Sequence, residues 1–206
     1  MTAAGICTLD GLVGLSGFRC IVADPPWRLV IGKTRTQAGG APCGWNATDG
    51  RRKELAENYR GIHALQYPTM TIDEIKAMPV SDVAAKDAHL YLWTINAHLE
   101  AAYAVARAWG FRPATMLTWA KTPMGLGLGG TFCNSTEFCL FARRGTLKAQ
   151  RRVDRTWWNW KRGKHSAKPE DFQTLVETVS PCPRLELFAR RERPGWTVWG
   201  NEVEAN

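Results

Sequence analysis

Asp24, Pro25, Pro26 and Trp27 stand directly after the apolar run FRCIVA at positions 18–23. A short apolar run stopped by two prolines reads as a buried strand ending in a rigid turn. The prolines fix the backbone and remove two N–H donors, so the local carbonyls are expected to face outward without competing donors. A carboxylate and a peptide carbonyl are then held close together as rigid acceptors. Such a pair suits the two N–H donors of an exocyclic amine, and the Trp27 indole offers a face for the heterocycle that carries it. A plain Pro-Pro turn with a buried tryptophan accounts for the same four residues.

The elements around this corner follow from local patterns. Phe18–Asp24, Ala88–Thr94, Ala114–Lys121, Thr136–Arg144, Arg184–Arg190 and Thr197–Gly200 read as strands, the third and fourth as an antiparallel pair. TIDEIKAM reads as a short helix with Thr71 as N-cap and Glu74 completing a capping box. Ala97–Trp109, closed by Gly110, and Pro169–Val179, with proline in its first turn, read as longer helices. Trp27–Met70 and the glycine-rich Pro123–Gly130 read as loops, and the latter lacks the strand–helix context of a dinucleotide fingerprint. Strands alternating with helices predict an α/β fold: a mostly parallel sheet with an antiparallel strand pair and helices on both faces. Ligands of such sheets bind beyond the carboxyl ends of the strands, where Asp24 and the segment Glu186–Arg190 fall.

A chain of 206 residues, 45 % hydrophobic and 22 % charged, fits a single globular domain over residues 1–206. No apolar run approaches the roughly 18 residues of a membrane span, and Met1–Leu15 lacks the basic start of a secretory signal. Six cysteines without a CxxC pair predict reduced thiols and a cytoplasmic location. The four histidines show no metal-site spacing.

The net charge of +8 is concentrated. Residues 143–164 hold nine Lys or Arg against Asp154 alone, and residues 28–60 hold seven against Asp49, Glu54 and Glu57. Such stretches suit a polyanion, whose counterions are released as its phosphates are neutralised. Three of the ten tryptophans, Trp157, Trp158 and Trp160, sit inside the first stretch. Aromatic planes beside cations stack bases and hold phosphates together. Arg151, Arg152, Arg155, Trp157, Trp158, Lys161 and Arg162 are therefore candidate nucleic-acid contacts. A solvated charged face with one or two core-anchored rings is the plainer alternative.

DPPW after an apolar strand, YPTMTIDEI at 67–75, LYLWT at 90–94, HSAKPEDF, LELFARR and GWTVWGNE together resemble the N6-adenine methyltransferases. The resemblance is to the branch that includes the enzyme writing N6-methyladenosine in messenger RNA, and it runs from about Phe18 to Glu202. It implies a Rossmann-like methyltransferase fold, S-adenosylmethionine as cofactor and nucleic acid as partner. It further implies that Asp24 and the Pro25 carbonyl accept from the adenine amine, with Pro26 completing the turn, Trp27 stacking near the base, and Asp24 also near the cofactor's methionine end. Lys168 meets the methionine carboxylate on this reading, at a helix start that itself suits an anion. Glu186, Leu187 and Arg190 line the cofactor pocket, and Asn201 and Glu202 reach its ribose and adenine. A carboxylate such as Glu202 can accept from two ribose hydroxyls.

Two departures bear on the cofactor. Arg191, Glu192 and Arg193 stand where relatives often carry His and Asn, and near the first strand only Asp10 offers an acid. DNA is the expected substrate, because no appended RNA-binding module is visible. The alternatives are an RNA adenosine methyltransferase and a catalytically silent nucleic-acid-binding homologue. A homo- or heterodimer is compatible with each. Methylation of a protein glutamine usually goes with Asn, not Asp, at the first motif position.

Overall fold

Strands β1 (Phe18–Ala23), β2 (Ala84–Thr94), β3 (Arg112–Ala120), β4 (Thr136–Arg144), β5 (Trp157–Trp158), β6 (Arg184–Leu187) and β7 (Thr197–Trp199) build one sheet in a computed structural model. The described residues are 14–28, 68–121, 132, 134–161 and 168–200. The strand order is β5-β3-β4-β2-β1-β6-β7. β1 runs parallel to β2 and β6, β6 to β7, and β3 to β5. The expected antiparallel pair β3–β4 is present, and β4 runs against β2 as well. One reversed strand in an otherwise parallel sheet gives the Rossmann-like arrangement.

Strand β1, inside the sheet between β2 and β6, is apolar on both faces because both faces are covered. Ile21 and Ala23 enter a core shared with Ile75, Val80, Val83, Val105 and Trp109, from helices α1 (Ile72–Lys76), α2 (Val80–Val83) and α3 (Leu99–Ala108) and the turns after them. Cys20 and Val22 enter a second core with Tyr91, Trp93, Cys139 and, from helix α4 (Glu170–Val179), Phe172 and Val176. Helices thus lie on both faces. Helices α1 and α2, which precede β2, lie on one face, and α4, which precedes β6, lies on the other. β1 and β6 are neighbours, with Ala23 opposite Leu187, so their carboxyl ends flank the switch point where such sheets bind ligands.

Local expectations hold where a cap or breaker is present. Thr71 Oγ1 accepts from the Glu74 amide at 3.2 Å, and Glu74 accepts from the Thr71 amide at 2.7 Å, closing the capping box of α1. Gly110, at φ +79°, ends the α3 region in the left-handed conformation that glycine tolerates. Other boundaries move. β2 begins at Ala84 rather than Ala88, and its polar start is tied to the turn after β4 by Asp87, which accepts from the Thr146 amide and hydroxyl. β6 ends at Leu187 rather than Arg190, because Phe188 takes φ +61° and leaves the ladder. Helix α2 and the two-residue β5 were not legible as patterns. The loop at 123–130 and most of that at 27–70 lie outside the described residues. No helix among the described residues is long and apolar enough to cross a membrane.

Candidate active site

Asp24 continues the alternation of Cys20 and Val22, so it emerges on the α4 face beyond the end of β1. The Lys168 ammonium, just before α4, donates to Asp24 Oδ2 at 2.7 Å and lies 3.3 Å from a Glu137 oxygen. Lys121, just after β3, pairs with Glu137 in turn. Four charges of alternating sign therefore span the carboxyl edge from β3 to β1. The Lys168 nitrogen also lies 5.1 Å from the Trp93 ring centroid, over a face that attracts cations. Side-chain exposure is 30 % for Asp24 and 20 % for Lys168, enough for a ligand to reach a pair that salt screens less than a fully exposed one. Burial pulls the Lys168 pKa down, but Asp24 and Glu137 outweigh it and hold the ammonium above its ordinary value. Burial pushes Glu137 up, and Lys168 and Lys121 outweigh that, so its carboxyl falls below the usual range.

Glu137 and Lys121 were not singled out from sequence. The reversal of β4 brings its first residues to the same edge as the last residues of β2 and β3. A polar second position in an apolar strand was the available signal.

Glu186 lies between Leu185 and Leu187, whose side chains enter the α1–α3 core, so it faces α4. Gln173, buried on α4, donates to Glu186 Oε2 at 3.0 Å. Gln173 Oε1 is itself buried and has no hydrogen-bond partner among the described residues. Burial pushes the Glu186 carboxyl up from 4.5 to about 7; Arg193 opposes this, Asp24 adds to it, and the Gln173 hydrogen bond opposes it. An acid whose pKa is raised in the folded state stabilises below its unfolded pKa and loses that contribution as pH rises through the folded value. The unfolding free energy should thus fall between about pH 4.5 and 7, by at most about 3–4 kcal/mol at roughly 1.4 per unit. His89, whose pKa burial lowers, gives an opposite slope over nearby pH. The quantity to measure is therefore the difference between the parent and Glu186→Gln in urea titrations from pH 5 to 8. Parallel curves for the two proteins would rule out a raised Glu186.

The structure corrects several expectations for the Asp-Pro-Pro-Trp corner. The Pro25 carbonyl is not free of donors: it accepts from the Trp27 amide at 2.8 Å, which leaves one lone pair. The Pro26 carbonyl accepts from the Met70 amide at 2.9 Å, where Trp27 and Met70 form a parallel bridge. Trp27 offers no open face to a base. It is 7 % exposed in the α1–α3 core, its indole donates to the Trp93 carbonyl at 3.0 Å, and its ring stacks on His98 at 5.4 Å. Anchoring the turn from below is its structural role.

Leu187 is also a core residue, fully buried on the face opposite Glu186, so only its backbone adjoins the carboxyl edge. Arg190 is exposed after β6. Arg191 and Arg193 both turn to Glu170 at the start of α4, and Arg193 also reaches Glu177. Gly200 closes β7 against β6: an added Cβ there would stand 2.1 Å from the Ala189 carbonyl oxygen. Asn201 and Glu202 lie outside the described residues.

In the basic segment Arg151, Arg152, Arg155, Trp157 and Lys161 are exposed, and Arg162 lies outside the described residues. Arg155 pairs with Asp154 at 3.2 Å. Trp158 is half-buried and stacks on Trp160 at 4.9 Å, with 12° between the rings.

The sequence matches the MT-A70 family over residues 18–202. The chain belongs to the MT-A70 family. It is 28 % identical over 197 residues to the Type II methyltransferase M.MunI of Mycoplasma sp, covering 92 % of this chain and 79 % of that protein. It is 28 % identical over 148 residues to an N(6)-adenosine-methyltransferase MT-A70-like protein of Arabidopsis thaliana, covering 68 % of this chain and 22 % of that one. It is 25 % identical over 215 residues to the N(6)-adenine-specific methyltransferase METTL4 of Mus musculus, covering 90 % of this chain and 37 % of the relative. The chain therefore spans most of the Mycoplasma protein and a minor part of the plant and mouse proteins.

Methyltransferases of the MT-A70 kind generally use S-adenosylmethionine, and the donor set at the carboxyl edge fits it. Lys168 supplies a cation for a carboxylate. Asp24 and Glu186 supply carboxylates for an ammonium or for hydroxyls. The unpartnered Gln173 oxygen is a buried acceptor beside them.

Proposed function

We propose that this MT-A70 protein transfers the methyl group of S-adenosylmethionine to the N6 amine of adenine in DNA. The observation that carries the reading is the Asp24 carboxylate, fixed by Lys168 at the end of β1 beside Glu186 at the adjacent strand end. The family membership and the relatives named as N6-adenine or adenosine methyltransferases support it.

When bound, the cofactor would supply an electrophilic sulfonium methyl, and its sulfur would keep the electron pair of the broken carbon–sulfur bond and leave as a neutral thioether. Asp24 and the remaining lone pair of the Pro25 carbonyl accept the two N–H groups of the amine. That favours a pyramidal nitrogen and returns density to a lone pair otherwise delocalised into the ring. Positive charge builds on nitrogen as the N–C bond forms, and a carboxylate already in place stabilises it without reorganising. Holding the amine in line contributes at most about 7–11 kcal/mol through proximity. Asp24 need not be a strong base, since the ammonium product is acidic and loses its proton afterwards. Lys168 would hold the methionine carboxylate, and Glu186, Arg190, Asn201 and Glu202 would hold the rest of the cofactor, with Leu187 contributing backbone alone. The exposed Arg151, Arg152, Arg155 and Lys161, with Arg162, bind phosphates. The unpaired thiols Cys20, Cys139 and Cys182 suit the reducing cytoplasm.

DNA is favoured because a relative named a Type II methyltransferase is matched over 79 % of its own length, whereas relatives named as adenosine or RNA methyltransferases are matched over 52 % of theirs or less. The test is incubation with S-adenosylmethionine and separate DNA and RNA pools, followed by nucleoside mass spectrometry. N6-methyldeoxyadenosine is expected from the DNA pool. Methylated product from RNA alone would move the substrate to RNA, and neither product, with cofactor binding intact by calorimetry, would make the chain a silent homologue.

A further inference from the structure

Trp157 is the exposed tryptophan among the described residues, at 60 %, while its neighbours are committed to packing. Trp158 stacks on Trp160, Trp160 meets Phe172 of α4 edge-on at 6.3 Å, and the Trp160 carbonyl accepts from the Trp119 indole at 2.8 Å. The register explains the difference. Trp158 pairs with Trp119 and shares its face, so Trp157, opposite Thr118, projects to the other side of an edge strand. Removing one large apolar ring from a core costs stability, but nothing in the fold requires a ring at this exposed position. Arg151, Arg152 and Lys161 surround it in sequence and are exposed too, whereas Arg155 is partly neutralised by Asp154. An exposed aromatic plane within a basic stretch of chain is complementary to a stacked base flanked by phosphates.

The position in the sheet gives the reach. β5 and β1 are separated by β3, β4 and β2, so Trp157 and the carboxyl end of β1 lie about 19 Å apart at roughly 4.8 Å per strand. Trp157 also stands on the face opposite Asp24, so at about 3.4 Å per nucleotide a stacked strand needs roughly six nucleotides or more to join it to an adenine there. Base faces of a closed duplex are consumed by their own stacking and gain nothing from an exposed indole.

We infer that Trp157 is a stacking platform for an unpaired base of a single-stranded DNA segment, whose phosphates are drawn to the basic stretch that contains it. The inference rests on the proposed adenine methylation for the position of the target, and on the edge-strand geometry for the platform itself.

The experiment uses single-stranded oligodeoxynucleotides with one adenine and thymine flanks lengthened on one side at a time. In the parent, KM should fall roughly 5- to 150-fold as one flank passes about six nucleotides, the range expected for one stacked base. Trp157→Ala should lose that step, and Trp157→Phe should keep most of it. Anisotropy of a labelled oligothymidylate of about twelve nucleotides reads the same contact without turnover, and Trp157→Ala should weaken it by a similar factor. A parent that methylates without a length step, or equal affinity of parent and Trp157→Ala for the oligothymidylate, would overturn the platform. A parent that binds the oligothymidylate through Trp157 but methylates no substrate would instead overturn the proposed reaction.

Discussion

Asp24→Ala lowers kcat by at least about 10²–10³-fold, the usual loss when one preorganised partner of a developing charge is removed. The fold survives the change. Asp24 lies at a strand end with 30 % of its side chain exposed, and Lys168 keeps Glu137 at 3.3 Å when Asp24 is gone. The loss of one partly exposed ion pair costs about 1 kcal/mol or less, so the melting midpoint moves little. Cofactor affinity weakens less than turnover, because Lys168 still offers its charge to a carboxylate. Asp24→Asn separates charge from hydrogen bonding. It retains one acceptor oxygen but brings an NH2 group toward both the Lys168 ammonium and the incoming amine, so it rescues little. Single-turnover methylation with saturating cofactor, beside a thermal melt of each variant, makes the measurement. Near-parent turnover in Asp24→Ala would remove the carboxylate from the chemistry and end the mechanism.

What could be read from the chain was what its neighbours in sequence decide. The capping box of α1 is closed within four residues, and β1 declares itself by its apolar run and the prolines that stop it. The same period of two carried more than was drawn from it. Counting from Ile21 and Ala23, Pro25 and Trp27 fall on the α1–α3 side, opposite Asp24. A ring on that side of a strand buried on both faces becomes a core anchor, as its bond to the Trp93 carbonyl records. Leu187 follows the same rule beside Glu186.

The charged row illustrates what sequence withholds. Asp24 and Lys168 lie 144 residues apart, and only the crossover over the α4 face makes them partners. The family resemblance named both because its motifs preserve the outcome of that topology. Glu137 has no such label, and its place depends on a strand direction that its own residues do not encode. β5 is a further case, since two residues held against β3 by Thr118 and Trp119 are too short to have a period.

Lys168→Met tests the other half of the site. Methionine keeps the length and apolar stem of lysine over Trp93 and deletes the charge, so packing is retained while the carboxylate contact is lost. A hydrogen bond to a charged group is worth about 1.5–3 kcal/mol, so the dissociation constant for S-adenosylmethionine should rise roughly 10- to 150-fold. An analogue with its methionine carboxyl esterified distinguishes this contact from general disturbance of the edge. The parent should bind the ester more weakly than the acid, and Lys168→Met should bind the two alike. Glu137→Gln acts on the same contact at one remove, as a positioning substitution. It leaves Lys168 with Asp24 alone, removes the counter-charge that steadies it from β4, and releases Lys121. Its effect on cofactor affinity should be smaller, and in the double variant the two losses should fail to add, because without the ammonium Glu137 has nothing at residue 168 to hold. Additive losses would mean that Glu137 acts independently of Lys168. Unchanged affinity in Lys168→Met, with the ester still discriminated, would move the carboxylate contact to another cation.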